Sequence, residues 1–288
     1  MDQYISANQQ IHGALALSGE YDLSPHMLEE NKLNVLNRIN TILPKILSLK
    51  CHNTSSLVLD LDCGTGFMFD ILTRLDYSNI TGLDITSEMI EVARQKYPDI
   101  PIVTSTAEST PFDDSTFELV TSYSFLDHIN DLEKLMIEVL RILKSGGCFY
   151  SGLVPNQSYA SNISQVKQFN NSFFHSMPEH IITYIEKEKI SLFSNGAHYA
   201  EKYGLNAEIL DLCEPQKSKF LGISCVELAS LLRRIGFNQV HFVPNWYFGE
   251  YFMRDLPSEH RQVKNYLDQL GPVSLCMYKY FDVFATKE

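Results

Sequence analysis

Three features of this sequence predict an α/β fold: a doubly wound, mostly parallel sheet with helices on both faces. Short apolar, β-branched runs alternate with amphipathic stretches of helical length between residues 57 and 153. One run, Leu57-Val58-Leu59-Asp60-Leu61, passes through Asp62 and Cys63 into Gly64-Thr65-Gly66 and then a helical pattern from Phe67 to Leu75. A second run, Asn79-Ile80-Thr81-Gly82-Leu83-Asp84, also ends on a carboxylate. Strands that alternate with helices in this way pair in parallel and are covered on both faces.

The elements follow in order. Residues 1–50 are expected to form an N-terminal helical cap, because Val35, Leu36, Ile39, Ile42, Leu43, Ile46 and Leu47 recur at helical spacing around Pro44. Such a cap either packs on the sheet as an extra helix or covers a ligand. Thr86 or Ser87 caps a helix running to about Lys96, Pro101 to Thr104 is a short third strand, and Phe117 to Tyr123 a fourth. Asn130 is expected to cap the next helix, with Glu133 at the capping-box position and Leu132, Leu135, Met136, Val139, Ile142 and Leu143 on one face. Gly146 stops that helix, and Gly147 to Leu153 makes strand five.

Residues 154–222 fit no further strand–helix unit and are too many for a structureless loop. They predict a helical lid insertion rich in aromatic residues. The core pattern then resumes. Ser224 and Glu227 form a capping box, Leu228, Leu231, Leu232 and Ile235 a stripe, and Gly236 a stop; Gln239 to Val243 and Tyr280 to Ala285 are the last strands. The α/β core therefore spans residues 51–153 and 223–288, with a second small insertion at 248–278.

Composition narrows the function. The chain has 288 residues, 44% of them hydrophobic, enough for one large domain with an appended lid. A net charge of -12 argues against a nucleic-acid partner, since affinity for a phosphate backbone comes mainly from clustered Lys and Arg. Six cysteines lack C-x-x-C spacing, so neither a zinc site nor a disulfide framework is indicated. His175, His198, His241 and His260 have no spaced carboxylate or cysteine partners, so no metal is expected. No signal-peptide pattern opens the chain and no apolar stretch approaches membrane-spanning length. The expectation is a cytoplasmic protein without a membrane or nucleic-acid partner, acting on a small molecule; an oligomer is left open.

Glycines at a strand-to-helix turn allow a ligand to approach backbone N–H groups, and a carboxylate ending the next strand can hold sugar hydroxyls. Phe69 stands where G-x-G-x-x-G needs its third glycine, and no G-x-x-x-x-G-K-[ST] occurs, so dinucleotide and triphosphate readings are disfavoured.

Five ordered segments carry a resemblance. They are the glycine turn at residues 60–66; Asp84-Ile85-Thr86-Ser87-Glu88-Met89-Ile90; Ala107-Glu108-Ser109-Thr110-Pro111-Phe112 with Ser115 to Val120; Leu126-Asp127-His128-Ile129; and Leu143-Lys144-Ser145-Gly146-Gly147. Together they resemble the class I S-adenosylmethionine-dependent methyltransferases, of the small-molecule type and similar to the ubiquinone-biosynthesis-like branch. The resemblance implies a seven-stranded, Rossmann-like methyltransferase fold whose last strand is antiparallel and lies between strands five and six. It also implies S-adenosylmethionine as cofactor.

By the same resemblance, Asp62, Cys63, Gly64 and Gly66 hold the methionine moiety, Asp60 orients it, and Asp84 accepts from the ribose hydroxyls. Ile85 packs on adenine, Thr106 and Ala107 meet its polar edge, and Ser122 and Tyr123 lie beside the methionine. Two positions depart from the family pattern: Asp62 replaces the usual first glycine, and Thr106 a frequent aspartate.

His128 is the candidate general base, with turn capping or packing under the lid as its structural alternative. Tyr21, His175, Tyr247 and Tyr251 are the candidates for touching substrate. The expected function is methyl transfer to an oxygen or nitrogen of a small, partly apolar molecule by in-line displacement. The alternatives are a catalytically silent methyltransferase-like module acting through a protein partner, and a nucleotide-dependent reductase.

Overall fold

The computed structural model describes residues 3–19, 21–46, 55–169, 178–193, 201, 204, 206–253 and 255–288. Seven strands form one sheet: β1 (Leu57–Leu61), β2 (Asn79–Asp84), β3 (Ile102–Thr104), β4 (Phe117–Tyr123), β5 (Leu143–Pro155), β6 (Phe237–Tyr247) and β7 (Tyr278–Lys287). Their order is β3-β2-β1-β4-β5-β7-β6. β1 pairs in parallel with β2 and β4, β2 with β3, and β4 with β5. β7 runs antiparallel to both β5 and β6, as expected for the last strand. The winding direction reverses on either side of β1, which opens a crevice at the carboxyl ends of the central strands.

The helices divide between the two faces because side chains alternate along each strand. Val58 and Leu119 join a cluster with Val35, Ile39 and Leu43 of α2 (Glu29–Ile46), Phe69, Ile71 and Leu72 of α3 (Phe67–Arg74), and Ala93 of α4 (Ser87–Lys96). Leu59, Leu61 and Val120 face the other way, against Leu135, Met136 and Val139 of α5 (Leu132–Ile142). Leu228 and Leu232 of the helix Cys225–Ile235 complete that layer. Each layer buries a continuous apolar stripe, which is the main stabilising term for such helices.

The close fit of α3 on the sheet is achieved without a third glycine in the turn. The Phe69 ring lies where a Cβ on Gly82 of β2 would come within 2.5 Å of its Cζ. The missing side chain is on the strand rather than the helix.

Two caps differ from expectation by small shifts. Asp131, not Asn130, caps α5, its side chain accepting from the Lys134 N–H. α5 ends at Ile142, and β5 begins at Leu143, four residues earlier than Gly147; Gly146, at φ 77°, lies within the irregular start of that strand. Ser224 does cap the following helix by accepting from the Glu227 N–H.

Outside the sheet, α1 (Gln3–Ser18) packs on α4 and on the helix Ala207–Cys213. Residues 154–222 include α6 (Gln157–Phe169), α7 (Glu179–Phe193), α8 (Ala207–Cys213) and α9 (Pro215–Phe220); α10 is the helix Cys225–Ile235 and α11 spans Pro257–Gln269. Among the described residues, no helix is long and apolar enough to cross a membrane.

Candidate active site

The turn after β1 is built from left-handed backbone. Asp62, Gly64 and Gly66 have φ of 54°, 52° and 95°. That conformation explains why glycine suits position 62 and why aspartate can replace it, since Asp and Asn tolerate left-handed φ better than other side chains. At Gly66 nothing larger fits: an added Cβ would lie 2.5 Å from Tyr97 Cε2 and 2.7 Å from its Cδ2.

Asp84 closes the other side of the crevice. It is 2% exposed, and its carboxylate accepts from the Gly64 N–H at 2.8 Å and the Thr86 N–H at 2.7 Å. The same side chain therefore fixes the glycine turn and the start of α4. Burial raises its pKa, opposed by hydrogen bonds from the Thr86, Gly64 and Ile85 backbone. Burial pushes Asp62 well above the usual carboxylate range, with Asp84 and Asp60 adding to the effect. A carboxyl that keeps its proton weakens the like-charge penalty that position 62 would otherwise impose on an anionic ligand group.

A cleft of about 530 Å³, including space open to solvent, lies over these strand ends. Leu83, Ile85, Ala107 and Phe125 provide apolar walls, while Asp62, Asp84, Thr106 and Asn130 provide polar groups. Helix α1 forms the cover: Tyr4, Ile5 and Asn8 line the cleft, and the Gln9 side-chain amide donates to the Ile85 carbonyl at 2.9 Å.

A second cover lies over the glycine turn. Thr65 Oγ1 donates to Asp22 at 2.7 Å, and Lys96 pairs with the other carboxylate oxygen of Asp22. This pins the turn Tyr21–Leu23, and the Tyr21 hydroxyl oxygen comes within 3.8 Å of where a Gly64 Cβ would be. Burial and Asp62 push the Tyr21 phenol upward, so it stays a neutral donor.

His128 lines the cleft from the turn after β4, with Nδ1 3.0 Å from the Cys213 carbonyl. Next to it, Asp127 is buried and paired with Lys217 at 2.6 Å. Burial opposes ionisation of Asp127, but Lys217 and His128 outweigh it and bring the pKa down to about 2.

The structure thus gathers Asp62, Asp84, Ile85, Thr106, Ala107 and His128 at one cleft, with Gly64, Gly66 and Tyr21 beside it. Other candidates stand elsewhere. Asp60 is buried in the sheet and accepts from Thr121 Oγ1 at 2.8 Å, and Ser122 bonds Ser151 Oγ at 2.8 Å; neither lines the cleft. Tyr123 stacks on Phe67 and accepts from Asn31, and Cys63 packs in the core beneath.

Tyr247 and Tyr251 do not line this cleft. Tyr247 is 3% exposed, packed with Leu267 and Tyr278 and bonded to His260 at 3.1 Å; Tyr251 is 63% exposed. β6, which leads into them, is the edge strand at the far end from β3. His175 lies outside the described residues. Sequence reasoning missed Tyr4, Ile5, Asn8 and His12, which reach the site through α1, whose apolar pattern carries no sign of where it docks.

Residues 59–151 match the family model described as a methyltransferase domain. Over that stretch, about a third of its length, the chain is similar to a methyltransferase domain. Its matched part is 38% identical over 93 residues to the demethylmenaquinone methyltransferase of Chlorobaculum tepidum, covering 32% of this chain and 38% of that one. A longer match, 27% identical over 176 residues, is to the mitochondrial ubiquinone biosynthesis O-methyltransferase of Candida albicans, covering 58% of this chain and 48% of that one. The chain therefore spans less than half the length of these curated relatives. The fold matches that of an S-adenosylmethionine-dependent methyltransferase of Thermotoga maritima, with a TM-score of 0.55 and 16% identity over 97% of this chain and 99% of that one. The cleft offers a buried carboxylate, apolar walls and a left-handed turn, groups of the kind that would hold the ribose, adenine and tail of S-adenosylmethionine.

Proposed function

We propose that this protein transfers a methyl group from S-adenosylmethionine to an oxygen or nitrogen of a small, partly apolar molecule by in-line displacement. The observation that carries this reading is the buried Asp84 carboxylate, tied to the glycine turn and facing the cleft at the sheet's reversal point. When bound, the cofactor supplies an electrophilic methyl group on a sulfonium.

The rest is positioning. Asp84 accepts from the ribose, Ile85 and Ala107 sandwich the adenine, and Thr106 meets its polar edge. Helix α1 closes the cleft and keeps water from the methyl group, so that orientation and desolvation supply much of the acceleration. On the acceptor side, His128 donates through Nδ1–H to the Cys213 carbonyl, which leaves the Nε2 lone pair to take a proton from an acceptor hydroxyl. The relatives named for demethylmenaquinone and ubiquinone biosynthesis favour a quinone-like acceptor, and the net charge of -12 favours a small molecule over nucleic acid.

The test is incubation with methyl-labelled S-adenosylmethionine and panels of quinols, phenols and amines. Labelled product from one panel, lost in Asp84→Ala, is expected. Tight S-adenosylhomocysteine binding with no transfer to any panel would favour the silent-module alternative.

A further inference from the structure

Three side chains from three separate segments converge beside the cleft. They are His12 of α1, His128 of the turn after β4, and Cys213, the last residue of α8. Cys213 Sγ is 3.6 Å from His12 Nε2 and 3.7 Å from His128 Nδ1, and one donor atom from each residue lies within 4.8 Å of the others. The two imidazoles meet edge to face, with centroids 4.7 Å apart. Zinc with nitrogen at ~2.0–2.1 Å and sulfur at ~2.3 Å, in tetrahedral geometry, sets neighbouring nitrogen and sulfur ligands about 3.6 Å apart. Both nitrogen–sulfur separations fit that edge.

We propose that His12, His128 and Cys213 form a binding site for a divalent cation of the zinc class. The donor set decides the metal class: two imidazoles and a thiolate suit zinc or cobalt and not magnesium or calcium. The nearby carboxylates are committed, since Lys217 holds both Asp127, at 2.6 Å, and Glu214, at 2.9 Å.

Without an ion, hydrogen bonds occupy the same atoms: Cys213 Sγ to Asn8 Oδ1 at 3.2 Å, and His128 Nδ1 to the Cys213 carbonyl at 3.0 Å. Loading would release the thiol proton to solvent and would require the His128 proton to move from Nδ1, where it is donated to that carbonyl, to Nε2, so that the Nδ1 lone pair could face the ion. The ion then ties α1 and α8 to the core. His128 lines the cleft, and His12 and Cys213 lie beside it.

Cobalt titration of the chelator-stripped full chain, under reducing and anaerobic conditions, tests the site without reference to methyl transfer. The expected result is one equivalent bound, with the visible bands of tetrahedral cobalt and a thiolate charge-transfer band, both lost on adding zinc. Cys213→Ser removes the charge-transfer band, and His12→Gln weakens binding at least about tenfold. Cys276→Ser, in the turn Gly271–Met277, changes neither. A spectrum without tetrahedral bands, or one unaltered by Cys213→Ser and His12→Gln, overturns the proposal. If Cys213→Ser does not fold, His12→Gln on the half-buried face of α1 decides alone. Methyl transfer that fails while cobalt binds would sink the functional reading and leave the metal site standing.

Discussion

Replacing Asp84 with asparagine keeps the side chain's shape but removes its charge and one of its two acceptor oxygens. In the parent, those oxygens accept from Gly64 N–H at 2.8 Å and Thr86 N–H at 2.7 Å. The asparagine NH2 must face one of these donors, and an orphaned buried donor costs about 1–3 kcal/mol of stability. The ribose loses a hydrogen bond to a charged group, worth ~1.5–3 kcal/mol. At about 1.4 kcal/mol per tenfold, affinity should fall roughly 10- to 150-fold. Titration calorimetry with S-adenosylhomocysteine, on Asp84→Asn shown to be folded by circular dichroism, measures this. An affinity within about threefold of the parent would refute the assignment of Asp84 to the ribose.

Three further outcomes follow from packing and charge. Gly66→Ala should cost about 1–2 kcal/mol for its left-handed backbone and ~1–3 kcal/mol for overpacking against Tyr97; a denaturant curve shifted by less than about 1 kcal/mol would contradict the geometry. Arg38→Met should cost about 3–5 kcal/mol, because it leaves the Asp282 carboxylate, 0% exposed, without the guanidinium that donates to it at 2.6 Å. Urea unfolding measures that loss, and Asp282→Asn in the same chain should recover part of it.

Glu138 has its pKa lowered from 4.5 to about 2, first by the hydrogen bond from Arg141 and against the effect of burial. Its contribution is therefore full above the unfolded value of 4.5 and lost as pH falls through about 2. The difference in melting temperature between parent and Glu138→Gln should hold above pH 4.5 and shrink towards pH 2. The difference will be modest, since Arg141 is about a third exposed. A gap independent of pH would show that the pair does not act through its charge.

What could be read from the sequence was what the backbone decides locally. Gly64, Gly66 and Asp84 stand at strand ends where φ and a carboxylate have one evident use, and the structure places them around one crevice. The inserted antiparallel β7 came from family resemblance, not from its own residues. The α5 cap shifted from Asn130 to Asp131 because either side chain can accept from a first-turn N–H, and only the path of the chain selects between them. Tyr247 and Tyr251 lie outside the cleft lining, since aromatic composition says nothing about which part of a sheet a segment decorates. The His12–Cys213 contact joins residues 201 positions apart, so no spacing rule could have revealed it. The same holds for α1 as a cleft cover: its bond from Gln9 to Ile85 depends on a docking angle set by α4 and α8.

A crystal structure of the full chain with S-adenosylhomocysteine tests the central assignment most directly. The nucleoside should lie in the cleft, its ribose hydroxyls within hydrogen-bond distance of the Asp84 carboxylate and its adenine between Ile85 and Ala107. Ligand bound away from Asp84, or a cleft still empty at saturating ligand, would contradict it.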